Sequence, residues 1–126
     1  MLHQRHYTID EANAALPAVG EIVRRIRDAR RRLIDEGFDS GFATQAELTG
    51  GGWPGRRHAT ASLEVTLGFE RLEELDIVVR DLDRGLIDFP ALLGGEEVYL
   101  CWLLGEPAVG HWHALEAGFG GRRPLG

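Results

Sequence analysis

The stretch LIDFPALLGGEEVYLCWLL, residues 86–104, decides the fold. Two apolar runs, Leu86–Leu92 and Glu97–Leu104, flank Gly94-Gly95, and paired glycines supply the backbone freedom that a tight turn between antiparallel strands needs. In the second run, alternation puts Val98, Leu100, Trp102 and Leu104 on one face and Tyr99, Cys101 and Leu103 on the other. Both faces are apolar, so both need a cover. Helices can supply one. The other falls to the C-terminal tail, the long loop or a second subunit, and a homodimer is expected. Pro90 lacks an amide proton and belongs at an edge or a bulge.

Outward from this hairpin, Ile77-Val78-Val79 is short and β-branched, and Asp83-Arg84-Gly85 supplies turn chemistry. Gly105-Glu106-Pro107 turns the chain again, and Ala108–His113 reads as a fourth strand. The segment 77–125 is therefore expected to form a three- to four-stranded antiparallel sheet with a tail.

The first part of the chain has helical spacing. Thr8-Ile9-Asp10-Glu11 matches a capping box, and apolar residues recur at Ile9, Ala12, Leu16, Val19, Val23, Ile26 and Leu33. Pro17 predicts a kink or a break, and Gly37 a C-terminal stop. Arg24, Arg25, Arg27, Arg31 and Arg32 fall opposite the apolar stripe, where Arg31 can pair with Asp28 or Asp35. Residues 37–61 are glycine-rich and predict a loop, with a short helix over Thr44–Leu48. A second helix is expected over 62–76, with Leu63, Leu67, Leu72 and Leu75 as its apolar positions and Gly68 as a weak point. The fold class expected is α+β: one domain, 1–126, in which an antiparallel helical hairpin (1–36 and 62–76) packs on the small sheet. The first helix comes out nearly twice as long as the second, and its surplus apolar stripe is a further reason to expect a homodimer.

Composition bounds the function. At 126 residues, 44% hydrophobic and 27% charged, the chain suits a single globular domain. It shows neither a signal peptide nor an apolar run of membrane-spanning length, so cytoplasmic residence without membrane partners is expected. All 14 basic residues are arginine; the absence of lysine excludes Schiff-base chemistry and a Walker-type loop. A net charge of −6 makes nucleic acid an unexpected partner. The single cysteine excludes an intrachain disulfide.

The opening YTIDEANAALP, the centre VVRDLDRGLIDFPAL and the run VYLCWLLGEP, followed by WH, GF and GRRPL, together resemble an uncharacterised bacterial family, domain of unknown function 2203. The resemblance spans nearly the whole chain apart from the glycine-rich loop. It implies no activity. Where the family has an aromatic residue before Trp112, this chain has His111.

Polar residues inside apolar segments are the candidates for chemistry. Asp88, Glu106, His113 and Arg122 are proposed as a ligand pocket, with no catalytic role assigned to any of them. His111 and His113 would project to one side of an extended segment and, with Glu106, could bind a divalent metal; otherwise no cofactor is expected. Cys101, in mid-strand among large apolar residues, reads as inert packing. The Arg122 guanidinium is expected to pair internally with Asp88 or Glu106. With no established catalytic motif, a homodimerising scaffold or interaction module is the leading expectation. The alternative is a small-ligand-binding or metal-dependent enzyme, and the sequence leaves open whether the chain is an enzyme at all.

Overall fold

The structure is a computed structural model that describes residues 1–36 and 53–125. In chain order it contains α1 (Ile9–Glu36), α2 (Trp53–Glu74), β1 (Val78–Asp81), β2 (Leu86–Leu93), β3 (Glu96–Leu103), β4 (His111–Ala114), a 3-10 turn (Phe119–Gly121) and β5 (Arg123–Pro124). The strands form one antiparallel sheet in the order β1-β2-β3-β4-β5. Two helices on an antiparallel meander make the α+β class. The fifth strand exceeds the expected count; at two residues it is too short to carry a sequence pattern.

The capping box forms as its spacing requires. Glu11 N–H donates to Thr8 Oγ1 at 3.0 Å, and Thr8 N–H donates back to Glu11 Oε1 at 2.9 Å. From there α1 runs through Pro17 to Glu36 as one helix, so the break that Pro17 allowed does not occur. Its buried line is Ala12, Val19, Val23, Ile26 and Ala29. The arginine face is neutralised by neighbours: Arg24 and Arg25 by Glu21, Arg27 by Asp28, Arg30 by Asp83 and Arg32 by Glu64. Arg31 donates to the Asp83 carbonyl oxygen, not to Asp28 or Asp35.

The second helix corrects the expected boundary. It begins at Trp53, so residues 53–61 are helix rather than loop. Pro54 and Gly55 masked the start, yet the first helical turn has no use for the amide proton that proline lacks. The glycine-rich run 37–52, including the short helix expected over Thr44–Leu48, lies outside the described residues. At 22 residues against 28, α2 nearly matches α1. The buried face is also different from the one expected: Ala61 and Leu72 are buried, Val65 half-buried, and Leu63 and Leu67 more than half exposed.

One face of the sheet meets the helices. Ile87, Phe89, Ala91, Val98, Leu100 and Trp102 join Val19, Val23, Ile26 and Leu72 in a single core. The opposite face carries Asp88, Pro90, Tyr99, Cys101 and His113, all nearly sealed from solvent. Its cover comes from both ends of the chain. The N-terminal segment is pinned by Tyr7 N–H to Pro90 O at 2.7 Å, on the side of Pro90 that β1 does not reach, and by Leu2 and His3 N–H to the Glu97 carboxylate. At the other end, β5 pairs with β4, and the Phe119 ring packs against the guanidinium groups of Arg84 and Arg122. The helix surplus and the bare second face, both offered as grounds for a dimer, thus have intrachain explanations.

Candidate functional site

The covered face of the sheet holds a chain of polar side chains, and strand register is what aligns them. Gly94 and Gly95 both have positive φ (59° and 84°), as the tightest two-residue hairpin turns require. With Leu93 opposite Glu96, counting back along both strands sets Asp88 opposite Cys101. Across β3, Cys101 faces His111 and Tyr99 faces His113. Side chains from three strands, Asp88 of β2, Tyr99 and Cys101 of β3 and His111 and His113 of β4, therefore meet on one surface.

Asp88 is fully buried, and its Oδ2 takes both of its contacts. His113 Nε2 lies 2.9 Å away, and Arg80 Nε donates to the same oxygen at 2.7 Å. Oδ1 is buried with no hydrogen-bond partner among the described residues. An uncompensated carboxylate oxygen in the interior is costly, and native structures hold few of them. On the other side of the imidazole, Nδ1 is 2.8 Å from the Ala114 carbonyl oxygen, which can only accept, so Nδ1 carries a proton. Nε2 is left facing a carboxylate oxygen, an arrangement that needs a shared cation: a proton or a metal ion.

The second cluster is built on Arg122. Its Nη2 donates to Glu106 Oε2 at 2.6 Å and to His111 Nδ1 at 2.7 Å. Glu106 Oε1 also accepts the Leu103 N–H at 2.8 Å, and the Glu106 carbonyl accepts Trp102 Nε1–H, which ties down the turn after β3. Burial acts to raise the Glu106 carboxyl, but the Arg122 and Leu103 hydrogen bonds outweigh it and hold the group below the usual range. Burial likewise works against the charge of Arg122, and bonding to Glu106 more than restores it.

Cys101 joins the two clusters. Its Sγ lies 4.0 Å from Arg122 Nη1, and it offers a ligand atom within 4.8 Å of those of Asp88 and His113. Burial, reinforced by the Asp88 charge, pushes the thiol up to about 11, so it is a protonated and unreactive group unless a cation takes the proton's place.

The four residues proposed from sequence are thus brought onto one face but split into two pairs, Asp88 with His113 and Glu106 with Arg122. The expected internal pairing of Arg122 is with Glu106. His111 and His113 do not act together: His113 turns to Asp88, and the Arg122 guanidinium stands between His111 and Glu106, which are 3.9 Å apart. Among the described residues, the side chains whose possible ligand atoms do come together are Asp88, Cys101 and His113. Sequence reasoning gave Cys101 as packing and did not place it beside Asp88 and His113, and it drew nothing from Arg80. The two-residue glycine turn carried the signal, since it fixes the register that sets Asp88 against Cys101. A groove of about 670 Å³ between α1 and α2, lined by Ile22, Ile26, Leu67 and Arg71 among others, lies across the sheet from these residues.

The fold and this cluster define a small α+β domain with a buried carboxylate–thiol–imidazole set in its sheet. The chain belongs to the family of uncharacterized conserved proteins DUF2203, whose pattern matches residues 5–125. No curated protein and no solved structure matches it. Among the described residues, no helix is long and apolar enough to cross a membrane.

Proposed function

We propose that this protein binds a thiophilic divalent cation of the zinc class, held by a carboxylate oxygen of Asp88, the sulfur of Cys101 and Nε2 of His113. The observation that carries this reading is the buried Oδ1 of Asp88, without a partner among the described residues, beside a cysteine and a histidine whose ligand atoms lie within 4.8 Å. The donor chemistry supports it: sulfur with imidazole favours zinc over magnesium or calcium, which prefer oxygen. The Nδ1–H of His113 bonded to a backbone carbonyl is the outer support that metal-bound imidazoles use. Three protein donors leave the fourth position of a tetrahedral ion to water or a small ligand. Binding replaces the thiol proton of Cys101 with the ion.

Cobalt(II) titration of chelator-stripped protein tests the reading. The expected result is a sulfur-to-cobalt charge-transfer band at one equivalent, absent in Cys101→Ala, with zinc found by elemental analysis of protein purified without chelator. No band and no copurifying ion in the wild type would overturn it.

A second reading, an interaction module that pairs with a second copy, is supported by Leu63 and Leu67, 56% and 54% exposed one turn apart on α2. Light scattering tests it: a mass that stays at 13.9 kDa across concentrations overturns it.

A further inference from the structure

We infer that Arg80 is a built-in competitor for the metal site, a guanidinium that holds Asp88 until an ion displaces it. The inference rests on the metal reading above and concerns how the site is loaded.

Three observations carry it. First, Arg80 sits where the β1–β2 register shifts, between Val79 opposite Ile87 and Asp81 opposite Leu86. Such an irregularity in an edge strand inserts a residue without a ladder partner and re-aims its side chain. Here the side chain reaches across the covered face, with its guanidinium carbon 4.8 Å from the Tyr99 ring centre and Nε on Asp88 Oδ2. Second, the two arginines of this face are held differently. The Arg122 side chain is 14% exposed and bonded to Glu106 and His111. That of Arg80 is 41% exposed, and its one ion pair among the described residues is with Asp88. The Arg80 head group has open water to move into, whereas Arg122 is closed in by its partners; Arg80 leaves Asp88 buried and uncompensated unless another cation arrives.

Third, charge balance asks for the exchange. Asp88 is fully buried, and a buried carboxylate needs a compensating cation. Arg80 provides one positive charge for that one negative charge. A dication bound by the Asp88 carboxylate and the Cys101 thiolate is already neutral as a set. Arg80 would then be a surplus positive charge beside a metal ion, and its exposed stem gives it an exit. The Arg80 guanidinium and a divalent ion are accordingly competitors for one role, the counter-charge of Asp88.

Cobalt(II) titrations of chelator-stripped wild type, Arg80→Gln and Arg80→Lys test this. A site blocked by an internal group loses apparent affinity in proportion to the time it is blocked, so removing a group present nine-tenths of the time tightens binding about tenfold. Arg80→Gln is expected to bind cobalt at least that much more tightly than the wild type. Arg80→Lys keeps a charge but not the planar fork, so it falls between the two, and it answers the question even if Arg80→Gln fails to fold without an ion. Equal or weaker binding by both variants, with the wild type still binding, overturns the competition and leaves the metal site standing. If none of the three proteins gives a band, the site itself is wrong and the competition falls with it.

Discussion

Gly68 of α2 packs directly against Ile26 of α1. A Cβ built on Gly68 would lie 2.3 Å from Cγ1 and 2.6 Å from Cδ1 of Ile26, a residue with no solvent-exposed surface into which it could move. On propensity alone, Gly68→Ala would stabilise α2 by about 1 kcal/mol. Overpacking a close contact costs about 1–3 kcal/mol, so the net effect expected is destabilisation. Urea unfolding should show a lower midpoint for Gly68→Ala and a partial return in the Gly68→Ala/Ile26→Val double variant. A midpoint at or above wild type would mean that the helices are farther apart than described.

The same contact explains which parts of the fold were legible. Capping boxes, strand alternation and the Gly94-Gly95 turn are local signals, and each formed where the sequence put it. The face that α2 buries is not local. Leucine spacing favoured Leu63 and Leu67, but Gly68 lies against Ile26 of α1, with Ala61, Val65 and Leu72 turned inward and the two leucines out. The contact is made at a residue with no side chain, and a pattern of apolar side chains cannot register it.

The Thr8 cap should be a measurable part of stability. Thr8→Ala leaves the Glu11 N–H without its side-chain acceptor and is expected to cost about 1 kcal/mol. Thr8→Ser keeps the hydroxyl and should stay near wild type. Thermal unfolding of the three proteins separates loss of the cap from loss of the methyl group; equal losses in both variants would show that the cap contributes nothing.

Glu97 predicts how the N-terminal segment responds to acid. Hydrogen bonds from the His3 backbone, from the His6 ring and from the Leu2 backbone outweigh the opposing effect of burial and lower its carboxyl from 4.5 to about 2. A carboxyl lowered by folding contributes stability that is complete above its unfolded value and is lost as the pH falls through its folded one. The difference in unfolding midpoint between wild type and Glu97→Gln should therefore be largest above pH 4.5 and shrink between pH 4.5 and about 2. Taking the difference cancels the carboxyls common to both proteins. A gap that stays constant across that interval would show that Glu97 does not clasp the segment as an anion.

The site was legible only in part, for a related reason. Asp88, Glu106, His113 and Arg122 stood out as polar residues in apolar surroundings. Their partners depended on register and on one irregular residue. Cys101 looked like packing because its sequence neighbours Leu100 and Trp102 are core residues, yet alternation turns it to the opposite face, among Asp88, His113 and Arg122. Arg80 drew no reading from the sequence, because the register shift that redirects it has no sequence signature.

Metal binding should appear as stability that depends on the ion and on the thiol together. An ion that binds only the folded protein stabilises it by about 2.7 kcal/mol at a hundredfold excess over its dissociation constant. Zinc at that excess should raise the wild-type unfolding midpoint accordingly and leave Cys101→Ala where it stands without zinc. The alanine variant also loses packing, because Cys101 is buried, so its own midpoint is not informative. The response to zinc within each protein is the measurement. Cys101→Ser, smaller in its disturbance, should lose most of the response as well, since a hydroxyl is a poor substitute for thiolate on a soft cation. A zinc response of equal size in wild type and both variants would place the ion elsewhere on the chain and remove Cys101 from the site.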